Sequence, residues 1–136
     1  MNPELDAERT RILDSFLATA RPPDPSPLWP QLAAARWIVL DDQGRLRMAH
    51  PFSAVETDFA VAGEGKRWFA NCFWDALAVS AMVLQKSGEP TAIHTHCGHS
   101  RQPMRIGISL DGPPPGPEMI HFAVPLRDWW NDIVFT

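Results

Sequence analysis

Lys66-Arg67-Trp68-Phe69-Ala70-Asn71-Cys72-Phe73-Trp74-Asp75-Ala76-Leu77 is the stretch whose reading decides the fold. Residues 66–70 read as one arm of a hairpin whose other arm is 57–62, because Gly63-Glu64-Gly65 between them is a tight-turn signal. Residues 72–85 read as a helix, with Asn71 as its N-cap and Gly88 just past its end. The chain thus passes from a strand into a helix at Asn71 and Cys72.

Outward toward the N-terminus, Leu5, Ile12, Leu13, Phe16 and Leu17 share one face at helical spacing, so residues 4–20 form an amphipathic helix. Arg21-Pro22-Pro23 ends it, since proline cannot continue the hydrogen-bond ladder. A short helix over 27–35 follows, then a hairpin with arms at 37–40 and 45–49. That order resembles an abbreviated winged helix, without a second long basic helix to enter a DNA groove. Outward toward the C-terminus, strands are expected at 90–96, 104–110 and 119–124. Asp111 to Pro117 forms a stiff loop between the last two, and Pro125 opens a short helix through Asp132. Ile133-Val134-Phe135-Thr136 reads as the start of a strand, whose exposed edge would invite self-association. The class is α+β: a small mixed or antiparallel sheet with a central helix carrying Cys72 and Asp75. The 136 residues suit one domain, with 1–50 as the abbreviated segment and 51–136 as the core.

The net charge of −4 and the lack of a basic stripe argue against nucleic acid as a partner. The apolar run at Ala76 to Leu84 is too short to cross a bilayer, and the acidic N-terminus carries no signal-peptide pattern, so a cytoplasmic location is expected. Two cysteines, Cys72 and Cys97, do not make a disulfide framework and should be free thiols there.

Residues three apart on a helix share a face, so Cys72 and Asp75 can present sulfur and carboxyl to one small site. At the first helical position the free N–H groups would favour a Cys72 thiolate. Phe73, Trp74 and Leu77 would desolvate Asp75, raising its pKa until it can carry a proton near neutrality. Trp68, Trp74, Trp129 and Trp130 are read as core or pocket walls, each needing a partner for its N–H, and would help to dry such a site. A soft nucleophile beside a proton carrier suits splitting a bond between a soft metal and carbon. The same pair also has a structural reading: cysteine is often buried filler, and a first-turn aspartate is stabilised by the helix dipole alone.

Four blocks, in order, bear on that choice: His50-Pro51-Phe52-Ser53-Ala54-Val55; Trp68 to Leu77; Ile120-His121-Phe122-Ala123-Val124-Pro125; and Trp129-Trp130-Asn131-Asp132-Ile133-Val134-Phe135-Thr136. From about Trp37 onward the chain resembles the alkylmercury (organomercurial) lyase family. The resemblance implies protonolysis of a carbon–mercury bond, with Hg(II) left on the protein as bound product and no cofactor required. Cys72 resembles the mercury-attacking cysteine and Asp75 the proton-shuttling carboxylate, so both would touch the metal. Cys97 matches a family cysteine outside the catalytic set. The family's second mercury-binding cysteine would come just after Thr136, where this sequence ends; with one thiolate, slower turnover is expected. The implied partner is a small organomercurial or another soft-metal ligand. A non-catalytic thiol or soft-metal-binding protein, or a structural remnant of the same fold, is the alternative.

His94-Thr95-His96-Cys97-Gly98-His99 is a second cluster. On a strand His94 and His96 point one way and Cys97 the other, and a turn at Gly98 could return His99. Imidazole and thiolate are zinc or copper ligands, and Cys97-Gly98-His99-Ser100 resembles a zinc-knuckle turn with one sulfur replaced. No second Cys/His pair completes a tetrahedral set, so a polar hairpin tip is favoured over a zinc or copper site. His50 and His121 are read as structural.

Overall fold

Asn2 starts the first helix as its side-chain oxygen accepts the Glu4 amide (2.9 Å), and proline at the first helical position needs no hydrogen bond there. The computed structural model describes residues 2–112, 115–117, 119–120, 122 and 124–134. Helix α1 spans Pro3–Thr19, and the short α2 spans Trp29–Ala34. The strands are β1 Ile38–Leu40, β2 Leu46–Ala49, β3 Phe52–Ser53, β4 Phe59–Gly63, β5 Lys66–Ala70, β6 Thr91–His96 and β7 Pro103–Ile108. Helix α3, Phe73–Ser87, lies between β5 and β6, and a short 3-10 helix covers Leu126–Asn131.

All seven strands form one sheet in the order β1-β2-β3-β5-β4-β6-β7, and every pairing is antiparallel. The β4–β5 turn has positive φ at both Glu64 and Gly65, the geometry that matches the twist of a two-residue hairpin. Helix α3 packs on β4, β5 and β6. Its buried residues Ala76, Val79, Ser80 and Val83 recur at helical spacing, and the two valines contribute roughly 1.5–3 kcal/mol each by leaving water. Gly88 closes α3 in the left-handed conformation at φ 72°, which a residue with a Cβ resists.

Helix α1 packs into the same core. The Phe16 and Phe52 rings stack with centroids 5.0 Å apart, and the indole of Trp68 donates to the Phe16 carbonyl (2.6 Å). Helix α2 is tied to α1 by the Trp29 indole, which donates to Glu8 (2.9 Å). Residues before and after position 50 therefore share one hydrophobic cluster.

Several expectations are corrected. Cys72, not Asn71, is the N-cap of α3. Strand β3 pairs with β2 and β5 over only two residues, too short to show a period. In the stretch expected as a strand over 119–124, the described residues Met119, Ile120, Phe122 and Val124 are not in a strand; His121 and Ala123 lie outside the described residues. The helix expected from Pro125 is a 3-10 turn starting one residue later. Ile133 and Val134 form a turn rather than a strand, and Phe135 and Thr136 lie outside the described residues. The described sheet ends instead at β1 and β7. Among the described residues no helix is long and apolar enough to cross a membrane.

Candidate active site

Strand β5 delivers the chain to the site. Ala70, at its end, is flanked by Phe52 on one side and Phe59 on the other, so the backbone entering Asn71 is held from both edges. Cys72 follows in an extended conformation (φ −143°, ψ 175°), and its carbonyl accepts the Ala76 amide (3.0 Å), the first bond of α3. Asp75 is the third helical residue, so sulfur and carboxyl rise from one turn of backbone, half-buried. The local sequence explains the switch: β5 buries Trp68 and Ala70 by alternation, and the chain then takes up the spacing of Ala76, Val79 and Val83.

Burial is the largest influence on both groups. It raises the Asp75 carboxyl to about 6, against a hydrogen-bonding interaction with the Cys72 thiol that lowers it. Burial also pushes the Cys72 thiol up, reinforced by the Asp75 charge; the Asp75 and Trp74 amides pull the other way and lose. The raised Asp75 agrees with the expectation. The expected lowering at Cys72 does not hold, because a buried sulfur loses more in desolvation than the free amides return. Near neutrality the pair is a protonated thiol beside a carboxyl that gains and loses a proton easily.

The tryptophans near the site divide. Trp68 is buried in the core, as expected, while Trp74 is 56% exposed and does not dry the site. Trp130 meets the His50 ring edge-on at 5.6 Å, with the Arg36 guanidinium 5.4 Å from the same indole. His50 is pushed down by burial, so it is neutral, and its Nε2 is buried with no partner among the described residues. The C-terminal segment reaches the residue before Cys72: the Asn71 amide nitrogen donates to the Ile133 carbonyl (3.0 Å). Sequence reasoning missed Asn71 in this role, having assigned it to capping.

The second cluster does not assemble. His94 and His96 lie on the exposed face of β6, with Thr95 buried on the other. Cys97 begins a turn closed by its amide to the Gln102 carbonyl (2.9 Å) and by the Arg101 amide to its own carbonyl (2.9 Å). His99 is exposed at the tip, and no group of three or more His, Cys, Asp or Glu among the described residues could hold a metal ion. The idea of His94, His96, Cys97 and His99 as joint ligands is therefore set aside. Cys97 has a property of its own: the Ser100 hydroxyl, with the Ser100 and His99 amides, lowers it to about 7. Both cysteines are free.

Residues 52–136 match the family model described as alkylmercury lyase. The fold is similar to the crystal structure of the mercury-bound form of MerB2, with a TM-score of 0.62 and 17% sequence identity. The likeness covers 85% of this chain and 60% of that one, so the chain spans 60% of the length of that structure. At this identity the likeness is one of fold. No curated protein sequence matches the chain.

Proposed function

The chain belongs to the alkylmercury lyase family, and from that premise we propose that it cleaves carbon–mercury bonds by protonolysis, with Cys72 as nucleophile and Asp75 as proton carrier. One observation carries the reading: a carboxyl raised to about 6 by burial shares the first turn of α3 with a protonated thiol.

The steps balance without a further reactant. The Cys72 sulfur bonds to mercury as its proton passes to the Asp75 carboxylate. The carbon–mercury bond then breaks, its electron pair stays on carbon, and Asp75 returns the proton to that carbon. The products are a hydrocarbon and Hg(II) held by Cys72 with the mercury's other ligand. A carboxyl with a pKa of about 6 suits both halves, since it accepts and donates near neutral pH at little cost. No cofactor enters these steps. The substrate is a small organomercurial, and a cytoplasmic location goes with two free thiols.

A second reading is capture of soft metal ions without turnover, for which the free Cys72 thiol is the donor; the raised pKa of Cys72 slows capture and cleavage alike. Release of benzene from phenylmercury acetate, measured with excess small thiol beside Hg(II) stoichiometry, separates the two. Cleavage by the parent chain, its loss in Asp75→Asn with Hg(II) capture kept, and loss of both in Cys72→Ser support the enzyme. Undiminished cleavage in Asp75→Asn overturns the proton-carrier role. Capture without cleavage in the parent leaves the binding reading.

A further inference from the structure

Asparagine is among the strongest N-cap residues, yet Asn71 stands one position too early to cap α3. The capping position falls to Cys72, whose side chain makes no cap hydrogen bond. The Asn71 carboxamide is thereby left to reach across 62 residues of chain and donate to the Ile133 carbonyl at 3.0 Å, in a half-buried setting.

The segment it holds lies on the surface. The 3-10 helix Leu126–Asn131 buries none of its residues. The Trp129 indole donates to the Val124 carbonyl (2.8 Å), closing the segment on itself, and Trp130 rests against His50 and Arg36. His50 lies in the two-residue turn joining β2 to β3, whose Phe52 pairs with Ala70 immediately before Asn71. Both the Trp130 and the Ile133 contacts therefore fall at the end of the sheet from which Cys72 emerges.

We infer that Asn71 is a positioning residue: its carboxamide clasps the C-terminal segment beside Cys72 and Asp75, making the Ile133 backbone part of the wall against which substrate binds. The inference rests on the reading of Cys72 and Asp75 as the reaction centre. The segment acts on the reaction through exposure: while it is clasped, solvent reaches the sulfur less easily and an organic group on mercury is confined beside the carboxyl.

The test uses the full chain with Cys97→Ser, so that Cys72 is the reporting thiol. Asn71→Ala is compared with its parent in three measurements: amide exchange over residues 126–134, iodoacetamide alkylation of Cys72 across pH, and KM and kcat for phenylmercury acetate. The expected result is faster exchange, alkylation accelerated about fivefold, and KM raised by a similar factor with kcat changed less, the scale of one lost hydrogen bond. Asn71→Gln, which keeps the donor, should recover part of each change. If Asn71→Ala does not fold, Asn71→Asp, of the same shape without the donor, carries the comparison. Faster exchange with Cys72 alkylation unchanged would reduce Asn71 to a structural role and overturn the inference, as would no change in exchange. If alkylation shifts as expected but the parent neither captures Hg(II) nor cleaves the arylmercury, the clasp stands and the proposed function fails.

Discussion

A carboxyl on the first turn of a helix ordinarily sits low, because the free amides there favour its charge. Asp75 is instead raised from 3.8 to about 6, because burial outweighs the lowering by Cys72. A raised folded-state pKa means that folding takes up a proton. The resulting stabilisation is fully present below about 3.8 and is lost as pH rises through about 6. Asp75→Asn cannot ionise, so it should be more stable than the parent at pH 8, by up to about 3 kcal/mol, with the advantage fading toward pH 4. Urea unfolding of both proteins at pH 4, 6 and 8 checks this; an advantage that grew toward acid would mean that the thiol, not burial, governs Asp75. The cysteines give a second prediction. Cys97, lowered to about 7 by Ser100, should be alkylated before Cys72 at pH 7, and Ser100→Ala should move its titration midpoint upward. Mass mapping of graded alkylation reads both. Faster modification of Cys72 would reverse the assignment. The pairing of Cys72 with Asp75 was legible from a spacing of three. Which thiol is the more acidic was not, because it depends on burial at one and on a local turn at the other.

Helix α3 shows how much an element's own pattern can carry. Its extent and its stop at Gly88 are readable directly, whereas the inward stripe of Ala76, Val79, Ser80 and Val83 is not, because residues 76–84 are apolar on nearly every side. The stripe contains one polar member: the Ser80 hydroxyl is fully buried and has no partner among the described residues. Ser80→Ala removes an unpaired group and improves helix propensity, so it should stabilise the protein by about 1 kcal/mol. Equilibrium urea unfolding measures it, and a loss of stability would mean that the hydroxyl has a partner such as a buried water. The start of α3 was less legible, since Asn71 is the better capping residue by chemistry and Cys72 holds the position. Strand pattern misled at 119–124. An apolar run specifies a strand only when a neighbouring edge accepts it, and Met119, 92% exposed, pairs with no strand among the described residues.

Across the whole molecule, α1, the sheet and α3 bury side chains in one cluster, so the N-terminal segment should not unfold apart from the rest. Tryptophan fluorescence and far-UV circular dichroism should trace one urea transition; separated midpoints would show an independent N-terminal unit. Phe16→Ala, which removes the ring stacked on Phe52, should cost about 3–5 kcal/mol and shift both probes together. At this scale the division between sequence and structure follows the range of the interactions. The sequence by itself determined the α+β class, the hairpins, the extent of α3 and the Cys72 and Asp75 pair, because each rests on residues close in the chain, and the family, because its blocks keep their order along the chain. Only the tertiary structure decided that β3 joins two halves of one sheet, that His94, His96, Cys97 and His99 do not converge, and that Asn71 holds Ile133. Each of these depends on which distant segments meet and on how much water they exclude, and neither burial nor a contact across 62 residues leaves a local pattern to read.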